Sequence, residues 1–205
     1  MLICTIVDTL ILYITSFAVS YFIGAIPIAS SISKLYGVDI FATGTRSAGT
    51  SNVTKSVGLF PGIIVAIGDI TKGVIVTLLG STLFNIEGVL LIFPIMFGVL
   101  GHWNSVFSKF RGGDGVASLT GAFIVISPYL AIMGIVIGYF TGIVAAKLGY
   151  SSLIGVVSAY VIAGGMTAWF GLVDISLIIA LGLMTLVVVF HAVIRHRKLE
   201  NVLNN

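Results

Sequence analysis

Long apolar runs dominate this chain and decide its solvent. They fall at roughly 9–32, 57–80, 88–101, 116–128, 130–147, 152–170 and 173–194, about seven in all. With 58% hydrophobic and only 8% charged residues, there is too little polar surface to coat a water-soluble globule. A helix satisfies its own backbone hydrogen bonds, and about 20 apolar residues cross the ~30 Å hydrocarbon core of a bilayer. The runs therefore predict an all-α, polytopic integral membrane protein of about seven transmembrane helices, folded as a single membrane-embedded domain over 1–205. The third and fourth runs are short for a full crossing and flank a Gly-rich polar loop. Such pairs predict segments that dip into the membrane or line a polar cavity.

Alternating the runs across the bilayer sorts the charges. Lys34, Arg46, Lys55, Lys109, Arg111, Arg195, Arg197 and Lys198 fall on one side, with Lys147 at the end of its run. Asp8, Glu87 and Asp174 fall on the other, without a Lys or Arg. The positive-inside rule makes the basic side cytoplasmic, which puts the N-terminus outside and the C-terminus inside. The formal charge of +3 is thus read as membrane topology, and no nucleic-acid partner is expected. The start, Met1 to Leu10, has no Lys or Arg ahead of its apolar run, so it is read as a retained span. Cys4 is the single cysteine, which excludes an internal disulfide framework, and no Cys/His cluster has metal-ligand spacing.

Two polar segments carry the chemistry. The first runs from Gly44 through Thr45, Arg46, Ser47, Ala48, Gly49, Thr50, Ser51 and Asn52 to Lys55. Hydroxyls, amides, glycines and cations this dense form an oxyanion-binding surface, although a polar connector between helices has a similar composition. The second holds Gly101, His102, Trp103, Asn104 and Ser105, then Arg111, Gly112, Gly113, Asp114 and Gly115. Its glycines permit close backbone approach, and the apolar run that follows would aim a positive dipole end at the loop. A tight turn at a helix end is the other reading.

Asp69 and Lys72 lie one helical turn apart inside a span, as a structural ion pair or as part of a binding site. Arg195, His196, Arg197 and Lys198 end the last span, as a topology anchor or as a site element. His191, one turn earlier, is expected to be packed or interfacial. The predicted topology brings both loops and this tail to one membrane face. A cationic, glycine-lined pocket there suits a reaction between a soluble phosphate and an amphiphile that stays in lipid, either acyl transfer or phospho-headgroup transfer.

These motifs resemble the bacterial acyl-phosphate:glycerol-3-phosphate acyltransferases, the PlsY family, over almost the whole chain. Gly24, Ile26, Pro27, Lys34, Gly37, Asp39 and Ile40 resemble the opening of that family. Its first motif is matched at Gly44, Gly49, Asn52 and Val53, with Thr45, Ser51 and Lys55 as similar replacements. Asp69, Lys72 and Gly73 match another signature, and Gly101, His102, Arg111, Gly112, Gly113, Gly115, Val116 and Ala117 the next. Arg195, His196 and Arg197 match the tail.

The resemblance implies a seven-helix enzyme in the bacterial cell membrane, with its active-site loops cytoplasmic. It would transfer a fatty acyl group from acyl phosphate to the C1 hydroxyl of glycerol 3-phosphate, giving lysophosphatidic acid and phosphate without a metal or organic cofactor. Membrane lipids and a soluble enzyme that makes the acyl phosphate are the implied partners. Thr45, Ser47, Asn52 and Lys55 would position substrate, and Arg111, Gly112, Gly113 and Gly115 would bind phosphate. His196 or His102 would serve as proton acceptor or as hydrogen-bond donor to phosphate, with the substrate phosphate as the other group that could take the proton.

The departures from the family pattern are Arg46 and Ser47 for glycine and asparagine, Asn104 and Ser105 for phenylalanine and proline, and Leu199 for the tail asparagine. The largest is Asp114, which replaces a lysine. A carboxylate there repels phosphate unless Arg111, three residues earlier, neutralises it. These losses also support an alternative, a catalytically degenerate paralogue acting as a lipid- or acyl-phosphate-binding scaffold or regulator. A small transporter is the third reading, with only Asp69 and Lys72 placed along a path through the spans.

Overall fold

The computed structural model describes residues 2–144 and 151–203, and every regular element among them is helical. In chain order these are α1 (Leu2–Ala25), α2 (Ile28–Leu35), α3 (Thr50–Ser56), α4 (Leu59–Leu78), α5 (Ile92–Trp103), α6 (Val116–Ile126), α7 (Pro128–Val144), α8 (Ser151–Trp169) and α9 (Ile175–Leu203). A π-helical turn, Leu79–Leu83, prolongs α4, and a 3-10 turn, Gly88–Leu91, leads into α5. Lys147 lies outside the described residues, as do the side chains of Lys198 and Leu199.

Among the described residues, four segments are long and apolar enough to cross a membrane: Cys4–Leu35, Leu59–Leu83, Gly88–Ser108 and Ile175–Arg197. Val116–Ile126 and Ile154–Trp169 are shorter apolar helices. The expected short third run is corrected, because the 3-10 turn before α5 and the residues after it extend the segment to 21 residues. The expected short fourth run stands: α6 has 11 residues. At 1.5 Å per residue it reaches roughly 16 Å, about half the hydrocarbon core.

The first run departs most from expectation. Its helix begins at Leu2 and stops at Ala25, because Pro27 lacks an amide hydrogen and its ring excludes a continued helix. Three consecutive carbonyls at the break take side-chain donors from elsewhere in the chain. Lys72 of α4 donates from Nζ to Gly24 O at 3.2 Å and to Ile26 O at 2.9 Å, and the Ser105 hydroxyl donates to Ala25 O. A broken helix end inside a membrane protein is stable only with such partners. Lys72 is itself held by Asp69, 2.8 Å away, and both side chains are buried.

Glycines set the helix spacing. A Cβ on Gly73 of α4 would stand 1.8 Å from Ser118 O of α6, and one on Gly121 would stand 2.1 Å from Ile70 O. The backbones of α4 and α6 are in direct contact there, the small-residue packing that lipid favours when no hydrophobic force draws helices together. One buried apolar cluster joins α5, α6 and α9 through Ile95, Val99, Leu119, Leu181 and Val188. A second, of Ala29, Ile40, Ala48, Val53 and Val65, lies beneath the first polar segment. Leu183, Leu186 and Phe190 of α9 are exposed, as side chains that face acyl tails should be.

Replacing Lys72 by Met leaves Asp69 buried without its cation and removes the side-chain donor to Gly24 O and Ile26 O. Loss of about 3 kcal/mol or more of stability is expected, read as a lower unfolding midpoint in detergent, and Asp69→Asn in the same chain should recover part of it.

Candidate active site

The first polar segment is folded around one amide. Asn52, buried on the first turn of α3, donates from Nδ2 to Ile40 O at 3.2 Å, Thr43 O at 3.0 Å and Ser47 O at 3.0 Å. Its Oδ1 accepts from Thr45 N–H at 3.1 Å and from the Ser56 hydroxyl at 3.1 Å. The segment expected to be loop up to residue 56 therefore ends in a helix, whose side chain ties the preceding turn together. Arg46 adopts φ of +50°, a left-handed conformation costly for a residue with a Cβ, at the position where the family motif has glycine.

Thr45 is half-buried and Lys55 is exposed on the last turn of α3. Ser47 is buried, and its hydroxyl has no hydrogen-bond partner.

The second segment packs directly on the first. Ala48 N–H donates to Gly112 O at 3.1 Å, and the Arg111 guanidinium lies 4.3 Å from the centroid of the Phe41 ring. Side chains cannot be accommodated at this junction: a Cβ on Gly113 would stand 2.2 Å from His102 Nε2 and 2.6 Å from Ala48 O. Gly115 takes φ of +88° and turns the chain into α6, whose N-terminus carries no side-chain cap. Uncapped N–H groups and a positive dipole end thus meet the glycine segment, an arrangement that favours an oxyanion.

Behind the glycines lies a buried triad that sequence reading joined only in part. His102 Nδ1 lies 3.3 Å from Lys72 Nζ and 3.7 Å from Asp69 Oδ1. With Lys72 charged, Nδ1 is the acceptor and the ring proton sits on Nε2, toward Gly113. A sequence separation of 30 between Lys72 and His102 hid this contact from any local pattern. A narrow cleft, with about 10 Å³ of room for water, is bounded by this triad, the α1 break and the glycine segment.

Asp114 is neutralised, but not by Arg111. Its Oδ1 lies 3.2 Å from Arg195 Nη1 and its Oδ2 lies 3.7 Å from His196 Nε2. The expectation about Arg111 fails because that side chain turns back onto Phe41, whereas α9 delivers its basic residues beside Asp114. Burial opposes ionisation of Asp114, yet the neighbouring His196 and the Arg195 charge hold its carboxyl below the ordinary carboxylate range. His191 is packed as expected, stacked on Trp103 with centroids 4.1 Å apart and planes at 12°. Trp103 Nε1 donates to Asp114 O at 2.8 Å, so the same side chain braces both the glycine segment and α9.

The fold therefore brings Ser47, Arg111, Gly112, Gly113, Gly115, His102 and His196 into one corner, with Asn52 holding the wall. Asn52→Ala removes every hydrogen bond through which this side chain organises residues 40–56. Each buried group left unpaired costs about 1–3 kcal/mol, so faster limited proteolysis within that segment is expected while α7 and α8 stay protected.

Comparison with known proteins gives the family. A family model described as glycerol-3-phosphate acyltransferase matches residues 14–204. The glycerol-3-phosphate acyltransferase of Thermosipho melanesiensis is 35% identical over 170 residues, covering 80% of this chain and 82% of that protein. One from Thermus thermophilus is 34% identical over 144 residues, covering 70% and 72%. The crystal structure of PlsY (YgiH), an integral membrane glycerol 3-phosphate acyltransferase, superimposes in its glycerol 3-phosphate form with a TM-score of 0.73 at 28% identity, over 96% of this chain and 92% of that one. Its lysophosphatidic acid form gives 0.70, over 96% and 91%. With the family model spanning nearly the full length, this chain belongs to the glycerol-3-phosphate acyltransferase family.

Proposed function

We propose that this protein transfers a fatty acyl group from acyl phosphate to the C1 hydroxyl of glycerol 3-phosphate, releasing lysophosphatidic acid and inorganic phosphate for phospholipid synthesis. The observation that carries the reading is the meeting of residues 44–56, the Gly112–Gly115 segment and the Arg195–Arg197 tail at one corner, linked by Ala48 to Gly112 and by Asp114 to Arg195. Relatives named for glycerol 3-phosphate acylation, and a solved structure described in glycerol 3-phosphate and lysophosphatidic acid forms, support the acceptor and the product.

An acyl phosphate is already activated, so the protein has only to align the hydroxyl with the carbonyl and stabilise the oxyanion that develops. Thr45, Ser47 and Lys55 position substrate, with Asn52 acting through the shape of the loop. Arg111, Gly112, Gly113 and Gly115 receive phosphate, with the uncapped start of α6 adding its dipole. His196 accepts the hydroxyl proton, because the Nδ1 of His102 is committed to Lys72.

The degenerate-paralogue reading rests on Asp114 in place of a lysine and on Leu199 in place of the tail asparagine. Pairing with Arg195 weakens the first ground, since the carboxylate's charge is already compensated.

The single domain over 1–205 lies in a bacterial cell membrane in this reading, crossing seven times with its N-terminus outside and its active-site loops and C-terminus cytoplasmic. A soluble enzyme supplies the acyl phosphate. The one-sided distribution of Lys and Arg supports this orientation.

Purified protein in lipid, given palmitoyl phosphate and labelled glycerol 3-phosphate, is expected to form lysophosphatidate. No product, with an active relative assayed alongside, overturns the reading. For orientation, a membrane-impermeant maleimide should label Asp174→Cys on intact cells and Lys109→Cys only after lysis, both in a Cys4→Ser background. The opposite pattern would reverse the topology.

A further inference from the structure

Helices α8 and α9 meet at one end and part at the other. They touch where the Tyr160 hydroxyl donates to Ile178 O and where a Cβ on Gly182 would stand 2.5 Å from Tyr160 Oη. Nearer its start, α8 packs closely on α7 instead: a Cβ on Gly155 would stand 2.6 Å from Gly138 O. Toward the basic end of α9 this leaves a recess with about 680 Å³ of room. It is bounded by Ile154, Val157 and Val161 of α8 and by Val189, Val193 and Arg197 of α9.

The recess has the polarity and reach of a lipid chain beneath a headgroup. Its walls are aliphatic, and Ser158, the one polar lining residue besides Arg197, donates within its own helix to Ile154 O at 2.9 Å. Ile154 and Val161 are exposed, so the recess opens on the surface that acyl tails cover. From Val189 to Arg197 the helix rises about 12 Å, close to the ~15 Å of hydrocarbon in one leaflet. The volume lies within the roughly 300–1,000 Å³ typical of small-molecule sites.

Arg197 stands at the basic end of this slot and is exposed. Its neighbour Arg195 turns to another face of α9, onto Asp114. Among the described residues no carboxylate pairs with Arg197, since Asp69 holds Lys72 and Asp114 holds Arg195. A guanidinium at the membrane interface above an apolar slot suits a phosphate that carries its own hydrocarbon.

We propose that the wedge between α8 and α9 binds one anionic phospholipid of the adjacent leaflet, with its phosphate on Arg197 and one acyl chain against the valines. The lipid fills the gap beside the helix that carries Arg195 and His196 to Asp114. The recess lies outside the corner assigned to acyl transfer, and the inference does not rest on that reading. A neutral lipid fits the slot but gains nothing from the cation, so headgroup charge sets the preference.

Native mass spectrometry of the full chain in detergent, with equal amounts of phosphatidylglycerol and phosphatidylcholine of the same chains, reads that preference. Wild type should retain one phosphatidylglycerol by about fivefold over phosphatidylcholine, the worth of one interfacial cation. Arg197→Gln should abolish the preference, whereas Lys34→Gln on α2 should leave it unchanged. Val193→Trp, which fills the slot and keeps the cation, should abolish retention. Phosphatidylglycerol with a diazirine in its acyl chain should label residues 154–162 and 189–193 in wild type and not in Val193→Trp.

Equal retention of the two lipids by wild type overturns the proposal in favour of ordinary annular lipid, as does a loss in Lys34→Gln as large as in Arg197→Gln. Undiminished retention in Val193→Trp overturns it as well, because charge alone then suffices. Displacement of phosphatidylglycerol by glycerol 3-phosphate or by palmitoyl phosphate assigns the recess to the reaction's own ligands and also overturns it. Should Val193→Trp not survive extraction, the diazirine label in wild type and Arg197→Gln decides. Label within the recess that weakens with loss of the cation is expected, and label elsewhere overturns the proposal.

Discussion

The buried contact between Lys72 and the broken end of α1 is the constraint on which the rest of the structure depends. Pro27 stops the helix, and Lys72 with Ser105 donates to three successive carbonyls at the break. Burying an ammonium is costly, and Asp69 at 2.8 Å offsets much of that cost. The arrangement ties α1, α4 and α5 together at one depth. It also fixes His102, and through the backbone of Gly112 and Gly113 it fixes the floor of the site. A structural ion pair and a site element, offered by the sequence as alternatives, are here the same object.

Close helix approach makes this possible. Gly73 of α4 contacts α6 backbone to backbone, and Gly24 of α1 meets Gly98 of α5 in the same way. These contacts hold α6 so that its N-terminus opens onto the glycine segment. The dipole end, the glycines and the Asn52-braced loop then converge without a long side chain spanning between them. In a bilayer, packing and polar contacts carry the specificity that the hydrophobic effect supplies in water.

Asp114 illustrates how a residue that breaks a family pattern can be accommodated. Read along the chain, it faces Arg111 three positions away, and its charge opposes a phosphate. In the fold, its neighbours are Arg195 and His196 from the far end of the chain, delivered by a helix that Trp103 and His191 stack into place. The cation that compensates it is drawn from the same tail that the positive-inside pattern marks.

Residue order alone determined the solvent, the helical class, the sorting of charge and the family. Each follows from local quantities: the length of an apolar run, the side on which a lysine falls, the spacing of glycines within a motif. Only the tertiary structure decided that Asn52 organises its loop, that His102 belongs with Asp69 and Lys72, and that Asp114 pairs with Arg195. The contacts of His102 and Asp114 join residues far apart in sequence, those of Asn52 follow from how its own loop turns back on it, and in each case the partners are selected by where helices stop and how closely the chain packs, which no periodicity encodes.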